Sequence, residues 1–390
     1  MHNQLTVTKK TDLVVQANSI SGGVHHHGWR SPRVLLVGAV AGAVLLVAAF
    51  VLVRWLATSG TLQVTGNPLA PPPRARELGI LAGHTGMINT LKFSGNGQVL
   101  VTASLDQTVR IWDAANRKEL GILAASGLTH GIAVSPDGRT VALAPSGNGV
   151  QFWDVASRKQ FGESLTDPVA MPTFPKLPGM TMPRMSLGLP IAAMAVEFSA
   201  DGRLLATGEV SGKVRFWDVE SRKPVGKPLL GHTFALTALA FSGNGRVLAT
   251  TSTDNTVRLW DVSTYQQLDQ IPMRSGHAQS VALSPDGRVL AYALPDGTTQ
   301  FWDVDNRKQL GEPISNSATS LSFSADGKRL ATAGLSPAVR VWDVATREPL
   351  GDPIGPSSAT TSAAYSPVGQ VLATGMLDNS VRLWDMTGLS

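Results

Sequence analysis

The side chains of this chain that are best equipped for chemistry recur along it instead of converging on one place. His84, His232 and His277 each follow a glycine, and each is followed further on by an aspartate, at Asp106, Asp254 and Asp296, while Asp378 stands without a matching histidine. An imidazole oriented by a carboxylate beside a serine hydroxyl would make a nucleophile relay. Such a relay needs unequal residues meeting in one pocket. Here equivalent residues return once per repeat, which is how structural positions behave. No Gly-x-Ser-x-Gly elbow or phosphate-cradling glycine loop ending in Lys-Ser/Thr accompanies them. Metal chemistry has two starting points, the run His25-His26-His27 and the thioethers of Met180, Met182 and Met185, which could hold Cu(I). The first has no carboxylate beside it, and the second is better read as adaptable apolar contact surface. No metal or cofactor is expected, and the absence of cysteine removes disulfides, thiol nucleophiles and cysteine-based zinc sites.

The elements that hold these residues are set by seven Trp-Asp pairs: Trp112-Asp113, Trp153-Asp154, Trp217-Asp218, Trp260-Asp261, Trp302-Asp303, Trp342-Asp343 and Trp384-Asp385. They fall 41, 64, 43, 42, 40 and 42 residues apart, so one unit of forty-odd residues has been copied along the chain. Each unit opens with a short apolar alternation such as Leu91/Phe93, Val196/Phe198 or Leu321/Phe323. A Ser-x-Asp/Asn-Gly turn follows, as in Ser135-Pro136-Asp137-Gly138 and Ser242-Gly243-Asn244-Gly245. A second strand comes next, then a third that alternates up to the Trp-Asp, as in Val109/Ile111 and Val381/Leu383. The unit ends in a segment closing near Leu-Gly, for instance Lys118-Glu119-Leu120-Gly121. The same phrase stands once ahead of the first unit, at Glu77-Leu78-Gly79, and the last unit stops just after its third strand. The leading copy is therefore expected to supply the last unit's outer strand and close a ring, removing the exposed edges of an open stack.

These units resemble WD40 repeats, and the resemblance implies an all-β fold, a seven-bladed WD40 β-propeller over residues 77–390. It also implies a hydrogen-bonded core in a blade, built from the Gly-His ahead of the first strand, the turn Asp and the Trp. Carried over by position, the core residues are His84, Asp106 and Trp112; His232, Asp254 and Trp260; His277, Asp296 and Trp302; and Asp378 with Trp384. In blades 2, 3 and 6 the aspartate is replaced by Gly147, Ser211 and Ser336, so those blades are expected to lack the network and to rely on apolar packing. His130, near where a Gly-His would fall in blade 2, is expected to fill a related packing role.

Ahead of the propeller, residues 1–33 read as a basic tail and residues 34–56 as a single N-terminal transmembrane helix. Val34 to Val53 are twenty consecutive Val, Leu, Ala, Gly and Phe residues, enough to cross about 30 Å of hydrocarbon. Arg30 and Arg33 against Arg54 favour a cytoplasmic N-terminus and an extracytoplasmic propeller on a single-pass cell-membrane protein. Gly38 and Gly42 have the spacing of a helix-dimer contact, which a segment this rich in small residues also produces by chance. Residues 57–76, with Pro68, Pro71, Pro72 and Pro73, suit an extended stalk.

The sequence pI near 9.6 does not signal a nucleic-acid partner. Seven of the 33 basic and one of the 28 acidic residues precede Glu77, leaving 26 against 27 in the propeller. The basic excess lies beside the apolar run, where anionic lipid explains it. The 64-residue interval carries a surplus at 166–190 with six prolines and Met171, Met180, Met182 and Met185, a candidate partner-binding loop. The reading is a membrane-anchored, bacterial-type, non-catalytic scaffold that contacts the lipid bilayer through its helix and a protein or peptide through its propeller. The alternative is a propeller enzyme or small-ligand binder using the central channel.

Overall fold

Each repeat folds where its turns are chemically determined. In the computed structural model, which describes residues 75–123, 128–145, 149–167, 189–190, 193–334, 338–355 and 359–389, the Ser135 hydroxyl donates to Asp137 Oδ1 at 2.6 Å and accepts the Thr140 amide at 2.9 Å. Asp137 Oδ1 also accepts the Arg139 amide at 3.0 Å, and Gly138 adopts φ 76°, a left-handed conformation that L side chains rarely take. The same serine-aspartate lock recurs at Ser199/Asp201, Ser284/Asp286 and Ser324/Asp326. Where asparagine replaces the aspartate, its amide reaches the next repeat: Asn96 Nδ2 donates to Asp137 O at 2.8 Å and Asn244 Nδ2 to Asp286 O at 2.6 Å. Ser366, whose turn has Val368 in place of an acid, donates to the Val368 carbonyl.

These hairpins build an all-β, seven-bladed propeller of antiparallel sheets. The innermost strands are Ile88–Phe93, Thr129–Val134, Ala193–Phe198, Leu236–Phe241, Ser280–Leu283, Ala318–Phe323 and Thr360–Tyr365. Blades 1, 3 and 4 are regular four-stranded sheets, while the outer strand of blade 5 is split into Lys308–Gln309 and Ile314–Ser315. The leading strand Arg76–Leu81 pairs with Val381–Asp385, from Arg76 opposite Asp385 to Leu81 opposite Val381, and supplies blade 7 with its outer strand. The closure expected from the leading Glu77-Leu78-Gly79 phrase is thus present.

The core is divided among the joints between blades. Seven apolar clusters each combine residues of two successive blades, and the one joining blade 7 to blade 1 unites Leu81, Ala364, Val381 and Leu383 with Ile88, Leu91, Leu100 and Trp112. Burial of this kind, at about 25 cal/mol per Å², is the main force holding the ring.

A second set of contacts staples its rim. The Trp-Asp aspartate caps the following turn, as where Asp113 Oδ1 accepts the Asn116 amide at 2.8 Å, and the next residue enters the left-handed region: Arg117, Arg158, Arg222, Tyr265, Arg307 and Arg347 have φ of 52–63°. Most of these side chains lie on the preceding blade. Arg158 donates to the Leu120 carbonyl at 2.9 Å, Arg222 stands over Phe161 and Arg347 over Phe301, and Tyr265 packs on Phe216. This explains the Leu-Gly phrase, because a Cβ at Gly121, Gly162 or Gly311 would collide with Arg158, Arg222 or Arg347.

Several sequence readings lie outside the described residues: the tail, the apolar run with Gly38 and Gly42, the stalk before Ala75, Gly147, Ser336, and Met171, Met180, Met182 and Met185. The surplus segment leaves the ring at Thr166–Asp167, paired with Leu189–Pro190 between blades 2 and 3. Among the described residues no helix is long and apolar enough to cross a membrane.

Candidate functional site

The His-Asp-Trp sets meet fully in two blades. In blade 1, His84 Nδ1 lies 2.9 Å from Asp106 Oδ2 and its Nε2 lies 2.8 Å from Thr102 Oγ1, which also accepts the Trp112 indole N–H at 2.9 Å. Burial lowers the His84 pKa, partly offset by Asp106, so the ring is neutral at pH 7. A neutral ring donating to Asp106 through Nδ1–H accepts the Thr102 hydroxyl at Nε2, and the chain runs Trp112 to Thr102 to His84 to Asp106. Burial alone would raise the Asp106 carboxyl, but Thr108, the Thr85 amide and His84 together hold it far below the usual carboxylate range. Blade 4 repeats the arrangement with His232, Asp254, Thr250 and Trp260 at 2.8–2.9 Å. Every polar atom of these chains is spent within its own blade, leaving no nucleophile or base to face a substrate.

The other sets differ from the expectation. His277 is exposed, and no bond joins it to Asp296 among the described residues; Asp296 instead caps Thr298. The reason is Tyr292, which fills the strand position of Thr102 and Thr250 and donates to Gln300. Without a threonine to accept it, the Trp302 indole N–H goes to Asp269 Oδ2, on the outer strand of blade 4, at 3.2 Å. Asp378 caps Ser380 and faces Arg382, while Trp384 bonds Thr374 at 2.9 Å. Nor do blades 3 and 6 rely on apolar packing alone: Trp217 bonds Thr207 and Trp342 bonds Thr332, each at 3.0 Å. In blade 3, Ser211 and Arg215 both donate to the buried Glu209. In blade 2 the Trp153 indole donates to Gln151 at 3.3 Å. The acceptor that sequence reasoning missed is thus the strand threonine, ten residues before the tryptophan in five blades.

The buried histidines make stability depend on pH. Their folded pKa lies below the unfolded value of 6.5, so as pH falls through that value the unfolded chain takes up protons that the folded chain refuses. The lowered Asp106 and Asp254 add a further loss below about pH 4. The urea midpoint is therefore expected to fall between pH 7.5 and pH 5.5, and less steeply in a His84→Gln, His232→Gln variant. His130, also lowered by burial, is present in both chains, so the difference reports the pair. Equal slopes would contradict the assignment.

The innermost strands surround a channel of about 840 Å³. Much of its polar wall is consumed in joining strands. Ser320 bonds both Ala363 O and Ala363 N, the Ser322 hydroxyl accepts the Tyr365 amide, and Ser280 accepts the Leu321 amide. His130, placed by sequence as a packing residue, lines the channel mouth.

Residues 75–113, 190–218, 222–261 and 348–385 match the WD domain, G-beta repeat family. The matched repeats are WD40 repeats. Residues 254–347 of the same propeller are similar to the eukaryotic translation initiation factor eIF2A family. No curated protein matches the chain.

One face of the WD40 propeller has a distinct chemistry. The turns between second and third strands, and the loops leading into each innermost strand, share one rim. On it, consecutive blades 7, 1, 2, 3 and 4 carry Leu377, Leu105, Leu128, Val210 and Phe234, all exposed, with Phe234 at 62%. The opposite rim carries the Ser-x-Asp-Gly turns and the capped Trp-Asp turns, and the chain enters the leading strand there, at Arg76 opposite Asp385.

Proposed function

We propose that this WD40 propeller is a membrane-anchored scaffold that binds another protein or a peptide across its apolar rim and catalyses nothing. The observation that carries the reading is the crescent of Leu377, Leu105, Leu128, Val210 and Phe234. Scattered surface hydrophobics are ordinary, but large ones on five consecutive blades of one rim form the kind of patch that marks an interaction site. WD40 propellers typically act as protein-interaction scaffolds, which supports the same reading. The His-Asp pairs support it too, because their hydrogen bonds are spent on the blades.

The anchor rests on Val34 to Val53 and places the protein in the cell membrane with its propeller extracytoplasmic. Gly38 and Gly42 offer a route to a homodimer within that segment, and the 166–190 insertion with its four methionines is a second candidate contact for the partner.

The test compares partners recovered from membranes by the intact chain and by a Phe234→Ser, Leu377→Ser variant, whose substituted side chains are exposed and leave the interblade clusters untouched. Recovery of the specific partner is expected to drop about tenfold or more, as loss of central apolar anchors does at interfaces. An unchanged partner set rejects the crescent as the binding face. Alkaline-carbonate extraction checks the anchor separately, the chain being expected to stay with the membrane.

A further inference from the structure

We propose that the channel is a binding site for a neutral polyhydroxy ligand, a monosaccharide or short saccharide, held by Lys92 and Glu197. At one level of the channel each innermost strand contributes one residue. In blades 2, 4, 5 and 7 it is alanine, at Ala133, Ala240, Ala282 and Ala364, each paired in register with another alanine on the second strand. Blade 6 places Ser322 there, its hydroxyl accepting the Tyr365 amide, and blades 1 and 3 place Lys92 and Glu197. Lys92 Nζ lies 2.6 Å from Glu197 Oε2 and joins two blades that are not neighbours, blades 1 and 3. Neither head group has another partner among the described residues, so two ammonium protons and the second carboxylate oxygen remain available beside a cavity of about 840 Å³. That volume lies within the range of small-molecule sites, about 300–1,000 Å³.

The charge balance selects the ligand. Lys92 and Glu197 cancel, and the nearby His130 is neutral at pH 7 because the channel walls lower its pKa even though the ring stays in contact with water. An anion would have to draw Lys92 away and leave the Glu197 carboxylate uncompensated inside the walls; a cation would strand the ammonium in the same way. A sugar hydroxyl both donates and accepts. It can give a proton to the free Glu197 oxygen and take one from Lys92 while the pair stays intact. The methyl groups of Ala240, Ala282 and Ala364 on the other side suit the C–H face of a pyranose ring. This site is separate from the apolar rim, and its test does not depend on the scaffold reading.

The experiment is calorimetric titration of the full chain in nanodiscs with glucose, galactose, N-acetylglucosamine, maltose and myo-inositol, beside glycine and inorganic phosphate as charged probes. At least one polyol is expected to bind saturably, with glycine and phosphate silent. Lys92→Met and Glu197→Gln should each weaken binding about tenfold or more, as loss of a charged hydrogen-bond partner does. Ala240→Leu, at a partly buried alanine that lines the cavity away from the pair, should abolish binding while the thermal unfolding transition is retained. Preferential binding of phosphate or glycine, no binding by any polyol, or binding indifferent to all three substitutions would overturn the proposal.

Discussion

Trp217→Ala is expected to destabilise the propeller by about 3–5 kcal/mol, the usual cost of truncating a fully buried aromatic side chain. Trp302→Ala, at the equivalent position of blade 5, is expected to cost only about 1–2 kcal/mol, the range of ordinary substitutions. Trp217 is 2% exposed and packs with Phe152, Phe198 and Leu205 across the joint between blades 2 and 3, while its indole satisfies Thr207. Removing it opens a cavity and takes away the bond to a buried hydroxyl. Trp302 is half-buried at the edge of its cluster, and its bond runs to Asp269 on the neighbouring blade. Urea unfolding followed by circular dichroism measures both. Equal losses would mean that the seven tryptophans are interchangeable, contrary to the geometry.

The repeat architecture was readable in the sequence because its determinants are local. A Ser-x-Asp-Gly turn carries its own hydrogen bonds and its own left-handed glycine, so Ser135 to Gly138 announces a hairpin without reference to the rest of the chain. The closing strand was readable for a related reason, since Glu77-Leu78-Gly79 repeats the phrase of Glu119-Leu120-Gly121 and takes the same register against its neighbour.

What could not be read depends on contacts between elements. Thr102 and Thr207 read as ordinary strand formers, and their bonds to tryptophan appear only once second and third strands are paired. The constant ten-residue offset was the available signal. His277 carries the same Gly-His phrase as His84, yet its fate was decided by Tyr292 on another strand. Arg158 stands on Gly121 of the preceding blade, a contact that the repeat spacing alone does not reveal. The apolar crescent comes from turns of one kind and loops of another, which topology gathers on one rim. Lys92 and Glu197 are 105 residues apart and meet only once blades 1 and 3 are set around the channel.

The largest stabilising effect is expected from locking the ring at its closure. The strand Arg76–Leu81 is held to Val381–Asp385 along one edge; Leu81, 1% exposed, joins the cluster between blades 7 and 1, and Glu77 pairs with Arg382 at 3.0 Å. Ile80 and Arg382 stand opposite one another in this register, and Ile80 is 47% exposed. Opposed residues of an antiparallel pair have Cα atoms about 4.5–5.5 Å apart, within disulfide reach. Because the natural chain has no cysteine, an Ile80→Cys, Arg382→Cys variant contains a single thiol pair. Its disulfide would close nearly the whole propeller, a loop for which the chain-entropy estimate gives a stabilisation of about 6 kcal/mol.

The most direct measurement of the closed ring is the state of that pair after mild oxidation, read by non-reducing electrophoresis and intact mass. A self-closed seven-bladed WD40 propeller predicts one disulfide within each chain, two hydrogen atoms lighter and resistant to unfolding until reduced. Free thiols, or bonds formed between chains, would contradict it.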